Sequence, residues 1–207
     1  MRVPSTSANP RRRPQQSRAE LRRASFLQAA EQLFGNLGYE AVTMTAIAEQ
    51  AQASIGTLYD YFPDKPALAL VLITKYMHEA EAHWANFLKR PPSRGKGSIA
   101  DAFIEGILEF ARDRPAYLPL FGAPIGFARS RADREPLRRT IAAALQNLKP
   151  GLTADQAFLH AQVVVEIIKG MLSVYRQAPP KDRKGVVDEF KKVMRLYLTD
   201  TLTDTRD

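Results

Sequence analysis

Cysteine is absent from the 207 residues, and histidine occurs only three times. The first absence excludes disulfides, thiolate metal sites and cysteine nucleophiles, and fits a reducing, cytoplasmic setting. Long apolar runs are missing too. The richest, "VVVEII", is broken by Glu166 and followed by Lys169, well short of the ~20 residues that span a bilayer. No membrane partner is expected. The arginine-rich start is not followed by an apolar stretch of the kind a secretory signal needs, so none is expected. Convincing strands are lacking, and "GAPIG" (122–126) reads as a turn rather than a phosphate loop. Glu79 and His83 stand four apart and could share a metal, but two such residues on one helix face more often form an ion pair. With no assembled acid, base, nucleophile or metal set, neither an enzyme nor a cofactor is expected.

What is present is positive charge, unevenly spread. The net charge is +8 with 25% charged and 45% hydrophobic residues, an ordinary globular balance with a basic surplus. Residues 1–23 hold seven arginines against one glutamate, whereas residues 24–66 hold one lysine against five acids. Residues 1–16, rich in Pro, Ser and Arg, read as a disordered basic arm. Ser17 followed by Glu20 reads as a capping box opening a helix that ends near Gly35 and Gly38. Thr43 caps a second, short helix, and Ser54 caps a third that ends before "FPDKP". Three helices in 17–66, the last two joined by a tight turn, are a helix-turn-helix arrangement.

At ~100° per residue, Leu58 and Phe62 share the inner face of the third helix, and Gly56 and Asp60 lie opposite, flanked by Ile55 and Tyr59. Gly56 allows close approach to a groove, Ile55 and Tyr59 suit thymine methyls, and Asp60 can accept from a cytosine amino group. Thr57, Tyr61 and Lys65 suit phosphates along the edges. The alternative is that Ile55, Tyr59 and Tyr61 pack against the rest of the chain. Phosphate charge is expected from Arg11, Arg12 and Arg13, placed to reach a minor groove, and from Arg18, Arg22 and Arg23 on the first helix. A solvated tail is the alternative for the arm.

The stretch "TMTAIAEQAQASIGTLYDYFPDKPAL" resembles the DNA-binding signature of the TetR family of bacterial transcription regulators over residues 18–68. Thr43, Ile47, Ala48, Ser54, Gly56, Thr57, Leu58, Tyr59, Tyr61, Phe62 and Lys65 fit its pattern. The resemblance implies an all-α homodimer on a near-palindromic operator, with a C-terminal domain whose small-molecule effector releases the DNA. It also implies base or phosphate contacts by Thr43, Thr45, Ser54, Ile55, Gly56, Thr57, Tyr59, Asp60, Tyr61 and Lys65. Two positions depart from the family pattern. Gln52 stands where a turn glycine is expected, and Thr45 where an arginine or other polar reader is frequent.

Residues 67–207 read as a helical regulatory domain for ligand binding and dimerisation. Ser98 with Asp101, and Thr153 with Gln156, cap two of its helices. The helix after Thr153 is apolar nearly all round and must be covered on two sides. It and the last helix, with Val187, Phe190, Met194 and Tyr197 at 3, 4, 3 spacing, are the candidate dimer seam (155–176 and 186–200) or else complete the monomer core. Trp84, Phe103, Ile107, Phe110, Tyr117, Phe121 and Phe127 are the candidate lining of a pocket, with Glu166 as a possible polar end, the alternative being that Glu166 snorkels or pairs with Lys169 one turn on. An apolar or aromatic effector, of cationic character if Glu166 takes part, follows. The leading reading is a ligand-responsive repressor. The alternative is an effector-independent architectural or nucleoid-type DNA binder, for which the roughly 140 residues beyond the third helix would be superfluous.

Overall fold

Side-chain caps set where most of the helices begin. In the computed structural model, which describes residues 12–88, 98–125 and 131–203 with side chains at 18–88, 98–125 and 135–203, the oxygens of Thr43, Ser54, Asp64, Ser98 and Thr153 each accept from the backbone N–H three residues on. They open α2 (Met44–Gln50), α3 (Ile55–Tyr61), α4 (Lys65–Phe87), α5 (Ile99–Arg112) and α8 (Ala154–Gln177). Both expected capping boxes, at Ser98 and Thr153, are formed. The remaining helices are α1 (Arg12–Leu37), α6 (Tyr117–Phe121), α7 (Arg131–Leu148) and α9 (Arg183–Leu202). Among the described residues there is no strand, and the chain is all-α.

Two helices start earlier than their sequences suggest. α1 runs back to Arg12, so Ser17 lies inside it rather than capping it. Pro14 falls in the first turn, where its missing N–H has no partner to lose. α7 likewise starts at Arg131 and takes Pro136 into its second turn.

α1, α2 and α3 close around Phe26, Ala30, Phe34, Ile47, Leu58 and Phe62, all buried. Burial of each such large side chain is worth about 1.5–3 kcal/mol. The α2–α3 turn is made by Gln52 at φ 52°, the only non-glycine with positive φ among the described residues. The missing turn glycine therefore leaves a left-handed residue, at a cost of roughly 1–2 kcal/mol. α4 continues from this unit into the second, where α4, α5, α7, α8 and α9 pack together over Trp84, Phe103, Phe110, Ile141, Leu145, Val164, Met171 and Met194.

The units meet where α1 packs on α4 and α6. At Gly35 an added Cβ would sit 2.5 Å from Pro115 Cβ, so only glycine allows α1 to reach the start of α6.

α9 is fastened to α5 by two carboxylates, Glu105, which accepts from Lys191 at 2.6 Å, and the more buried Asp101. Asp101 accepts from Ser98 N at 3.0 Å and from Arg195 Nε at 2.8 Å and Nη2 at 2.7 Å. Burial alone would raise its pKa, but the hydrogen bonds of Arg195 and Ser98 outweigh this and hold it below the usual carboxylate range. Because the folded pKa is depressed, the stabilisation is complete above the unfolded value near 3.9 and is lost as pH falls through the folded one. Asp101→Asn is expected to lower stability at pH 7 by about 1.5–3 kcal/mol and to shrink the loss below pH 4, read by denaturant unfolding across pH.

Candidate DNA-reading surface and interior cavity

α3 presents the outer face expected of it. Leu58 and Phe62 are buried, while Gly56 and Asp60 are exposed, with Ile55 38% and Tyr59 51% exposed on either side. On α2, Thr43 and Thr45 are exposed as well. Thr43 Oγ1 accepts from Ala46 N at 3.1 Å, and Ser54 Oγ from Thr57 N at 3.1 Å and lies 2.8 Å from Thr57 Oγ1. These hydroxyls hold the helix starts that a DNA backbone would approach. The structure brings Thr43, Thr45, Ser54, Ile55, Gly56, Thr57, Tyr59 and Asp60 onto adjoining turns of α2 and α3.

Two of the expected residues have partners within the chain. Lys65 Nζ donates to the carbonyls of Tyr39 at 2.9 Å, Glu40 at 3.1 Å and Val42 at 2.9 Å, and sits 4.6 Å from the Tyr39 ring centroid. An ammonium has three protons, so none is left for a phosphate. Lys65 is a clip between the α1–α2 loop and α4. Tyr61 is half-buried with its ring tilted against Phe26, centroids 5.6 Å apart, because it shares the inner half of α3 with Leu58. Arg18, Arg22 and Arg23 are exposed on α1, and the Arg23 guanidinium lies over the Phe62 ring at 5.5 Å, which sets this basic stripe beside the end of α3. Arg11 lies outside the described residues, as do the side chains of Arg12 and Arg13.

The second unit holds a partly open cavity of about 560 Å³ between α4, α5, α6, α7 and α8, within the range of small-molecule sites. Of the eight residues expected there, Trp84, Ile107, Tyr117 and Phe121 line it. Phe103 and Phe110 do not. Phe103 packs on Trp84, and Phe110 is covered by the Arg114 guanidinium at 3.8 Å and by Tyr117. Phe127 lies outside the described residues. Glu166 is not a polar end of the cavity either: its carboxylate is 58% exposed and accepts from Lys169 at 2.7 Å and Arg138 at 3.4 Å. Aromatic density pointed to the right helices, but not to Tyr76, Arg138 and Lys169, which line the cavity. Glu79 and His83 go to separate partners, Arg114 at 2.6 Å and the Gly106 carbonyl at 3.0 Å.

Tyr76 joins the cavity to α1. Its ring forms cavity wall, and its hydroxyl donates to Glu31 Oε1 on α1 at 2.5 Å. Burial, then the bond to Glu31, pushes its pKa far above that of a free phenol, so it stays a donor at any physiological pH.

Comparison with known proteins places this geometry. Residues 26–72 match the model for bacterial regulatory proteins of the tetR family, and residues 98–198 the model for a tetracyclin repressor-like C-terminal domain. The chain belongs to the TetR family of transcriptional regulators. The HTH-type transcriptional repressor KstR of Rhodococcus jostii is 38% identical over 73 residues, which are 35% of this chain and 32% of that protein. The matched segment thus spans about a third of this curated relative. Among solved structures, Thermus thermophilus FadR in complex with lauroyl-CoA is 25% identical with a TM-score of 0.58, covering 89% of this chain and 97% of that one. A TetR-family regulator from Pectobacterium atrosepticum superposes with a TM-score of 0.69 at 19% identity, covering 92% and 98%, and attests the fold.

Lys65→Met leaves three carbonyls short of a charged donor and is expected to cost about 1.5–3 kcal/mol. Since no phosphate contact is lost, the salt dependence of DNA binding is expected to stay as it was, measured by thermal unfolding and by affinity across a salt series.

Proposed function

We propose that this TetR-family regulator is a cytoplasmic, ligand-responsive repressor that binds a near-palindromic operator as a homodimer and releases it when a small molecule fills the cavity. The observation that carries this reading is Tyr76, whose ring is cavity wall and whose hydroxyl holds α1. A ligand pressing on that wall acts on the helix from which α2 and α3 hang. The contact of Gly35 with Pro115 gives the same force a second route, through α6. Support comes from KstR, which is a repressor, and from FadR, which holds an acyl-CoA. An architectural DNA binder has no use for such a cavity.

The dimer seam is assigned to the outward faces of α8 and α9. Leu159, Val174 and Val193 are 58%, 46% and 47% exposed, and Phe190 lies half-buried beside them across Gly170. Apolar stripes on two adjacent helices make a surface that a second copy can cover isologously. The recognition helices of the pair then enter major grooves ~34 Å apart or a multiple of it.

Selection of bound sequences from random duplex DNA is expected to return an inverted repeat. Recovery of unrelated sequences would favour the architectural reading. Val193→Lys, which leaves the monomer core untouched, is expected to sediment as a monomer and to lose about a hundredfold or more in operator affinity, since two linked half-sites become one. A stable dimer of this variant would move the seam elsewhere.

The phosphate charge is assigned to Arg11, Arg12, Arg13, Arg18 and Arg22. Each phosphate contact adds ~0.9 to the slope of log affinity against log salt, so replacing Arg11, Arg12 and Arg13 by Gln in a dimer is expected to flatten it by up to ~5. An unchanged slope would make that arm a bystander.

A further inference from the structure

The charged residues of the cavity wall reverse the expected sign of the effector. Arg138 and Lys169 line it, against a single carboxylate, Glu81. A further carboxylate, Glu166, stands outside the lining, 58% exposed, and reaches Arg138 at 3.4 Å and Lys169 at 2.7 Å from the solvent side. The Arg138 side chain is only 11% exposed, and a guanidinium sunk that deep against apolar walls is an unusually strong place for an anion. The lining also includes Trp84, Ile107, Leu120 and Phe121, a largely apolar stretch suited to a chain or ring system.

We infer that the effector is an amphiphilic organic anion: an apolar chain or ring system lying along the aromatic end, with one anionic group on Arg138 and Lys169. This inference rests on the cavity being the effector site. Glu166 then acts as the resident competitor. It neutralises the two cations when the cavity is empty, and the incoming anion displaces it while Arg138 and Lys169 stay where they are. A free carboxylate and an acyl thioester of a phosphorylated carrier share this chemistry, and the test separates them.

The test compares four ligands with the same twelve-carbon chain, dodecanoate, dodecanoyl-CoA, dodecan-1-ol and dodecylamine, by thermal shift and by release of the selected operator. One or both anions are expected to bind and release DNA about tenfold or more better than the neutral alcohol, the amine being weakest. A stronger response to dodecanoyl-CoA assigns the thioester, and a stronger response to dodecanoate the free acid. Lys169→Gln is expected to bring the anions down towards the alcohol without changing the alcohol itself. Glu166→Gln is expected to tighten the anions severalfold, a direction that mere loss of a surface ion pair would not give. Equal or better binding of the alcohol or the amine would overturn the charge assignment while leaving the cavity as the effector site. No response to any of the four, in a variant set that folds and binds DNA, would overturn the effector reading and this inference with it.

Discussion

The hydrogen bond from Tyr76 to Glu31 has to be made, because a buried phenol without an acceptor loses more than the bond itself is worth. Making it fixes α4 against α1, and with it the position of everything α1 carries. Lys75, the preceding residue on α4, reaches the other oxygen of the same carboxylate at 3.5 Å, so Glu31 is held from two directions by one turn of helix. Gly35, one turn further along α1, rests on Pro115 with no room for a side chain. The cavity wall and the base of the helix-turn-helix unit therefore pack directly on each other at this point, the contact through which the proposed response would travel.

Electrostatics divides the labour within the reading unit. Residues 24–66 are acidic in sum, and their single lysine is consumed by three backbone carbonyls. The outer face of α2 and α3 is left with hydroxyls, a glycine, an isoleucine, a tyrosine and an aspartate. Such a surface suits contact with base edges but does not by itself attract a polyanion. Under the proposed function attraction would fall to the arginines of α1, of which Arg23 lies over the Phe62 ring at the end of α3.

Much of this was legible in the sequence, and what was not shares a cause. Caps act over three residues, so Thr43, Ser54, Ser98 and Thr153 announced their helices. Hydrophobic period told Leu58 and Phe62 from Gly56 and Asp60 for the same reason. The left-handed turn at Gln52 followed from the glycine missing there. Properties set by distant partners escaped. Phe103, Ile107 and Phe110 share one face of α5, yet only Ile107 meets the cavity, because Trp84, Arg114 and Tyr117 arrive from other elements to cover its neighbours. Lys65 looked free because its three acceptors lie more than twenty residues upstream. Glu166 pairs with Lys169 one turn on at 2.7 Å, the local one of its two readings, and what the sequence did not show is its further contact with Arg138 on another helix.

α8 shows why an apolar circumference is informative even when its purpose is not local. Val165, Ile168 and Leu172 face the cavity, while Leu159, Ile167 and Val174 turn the other way, only partly covered. By length and apolarity the helix would pass for a membrane span, but its inner face fills a protein core and its outer face is flanked by Glu166, Lys169 and Arg176. Helices are stiff along their axis and pack by interdigitation, so a shift of a few tenths of an ångström on the inner face is carried to the outer one. The surface assigned to the dimer seam and the wall of the cavity are thus two sides of a single rod. Under the proposed function that separation, the width of one helix, is the path by which occupancy of the cavity would reach the spacing of the two reading units, as Tyr76 would carry it to their orientation.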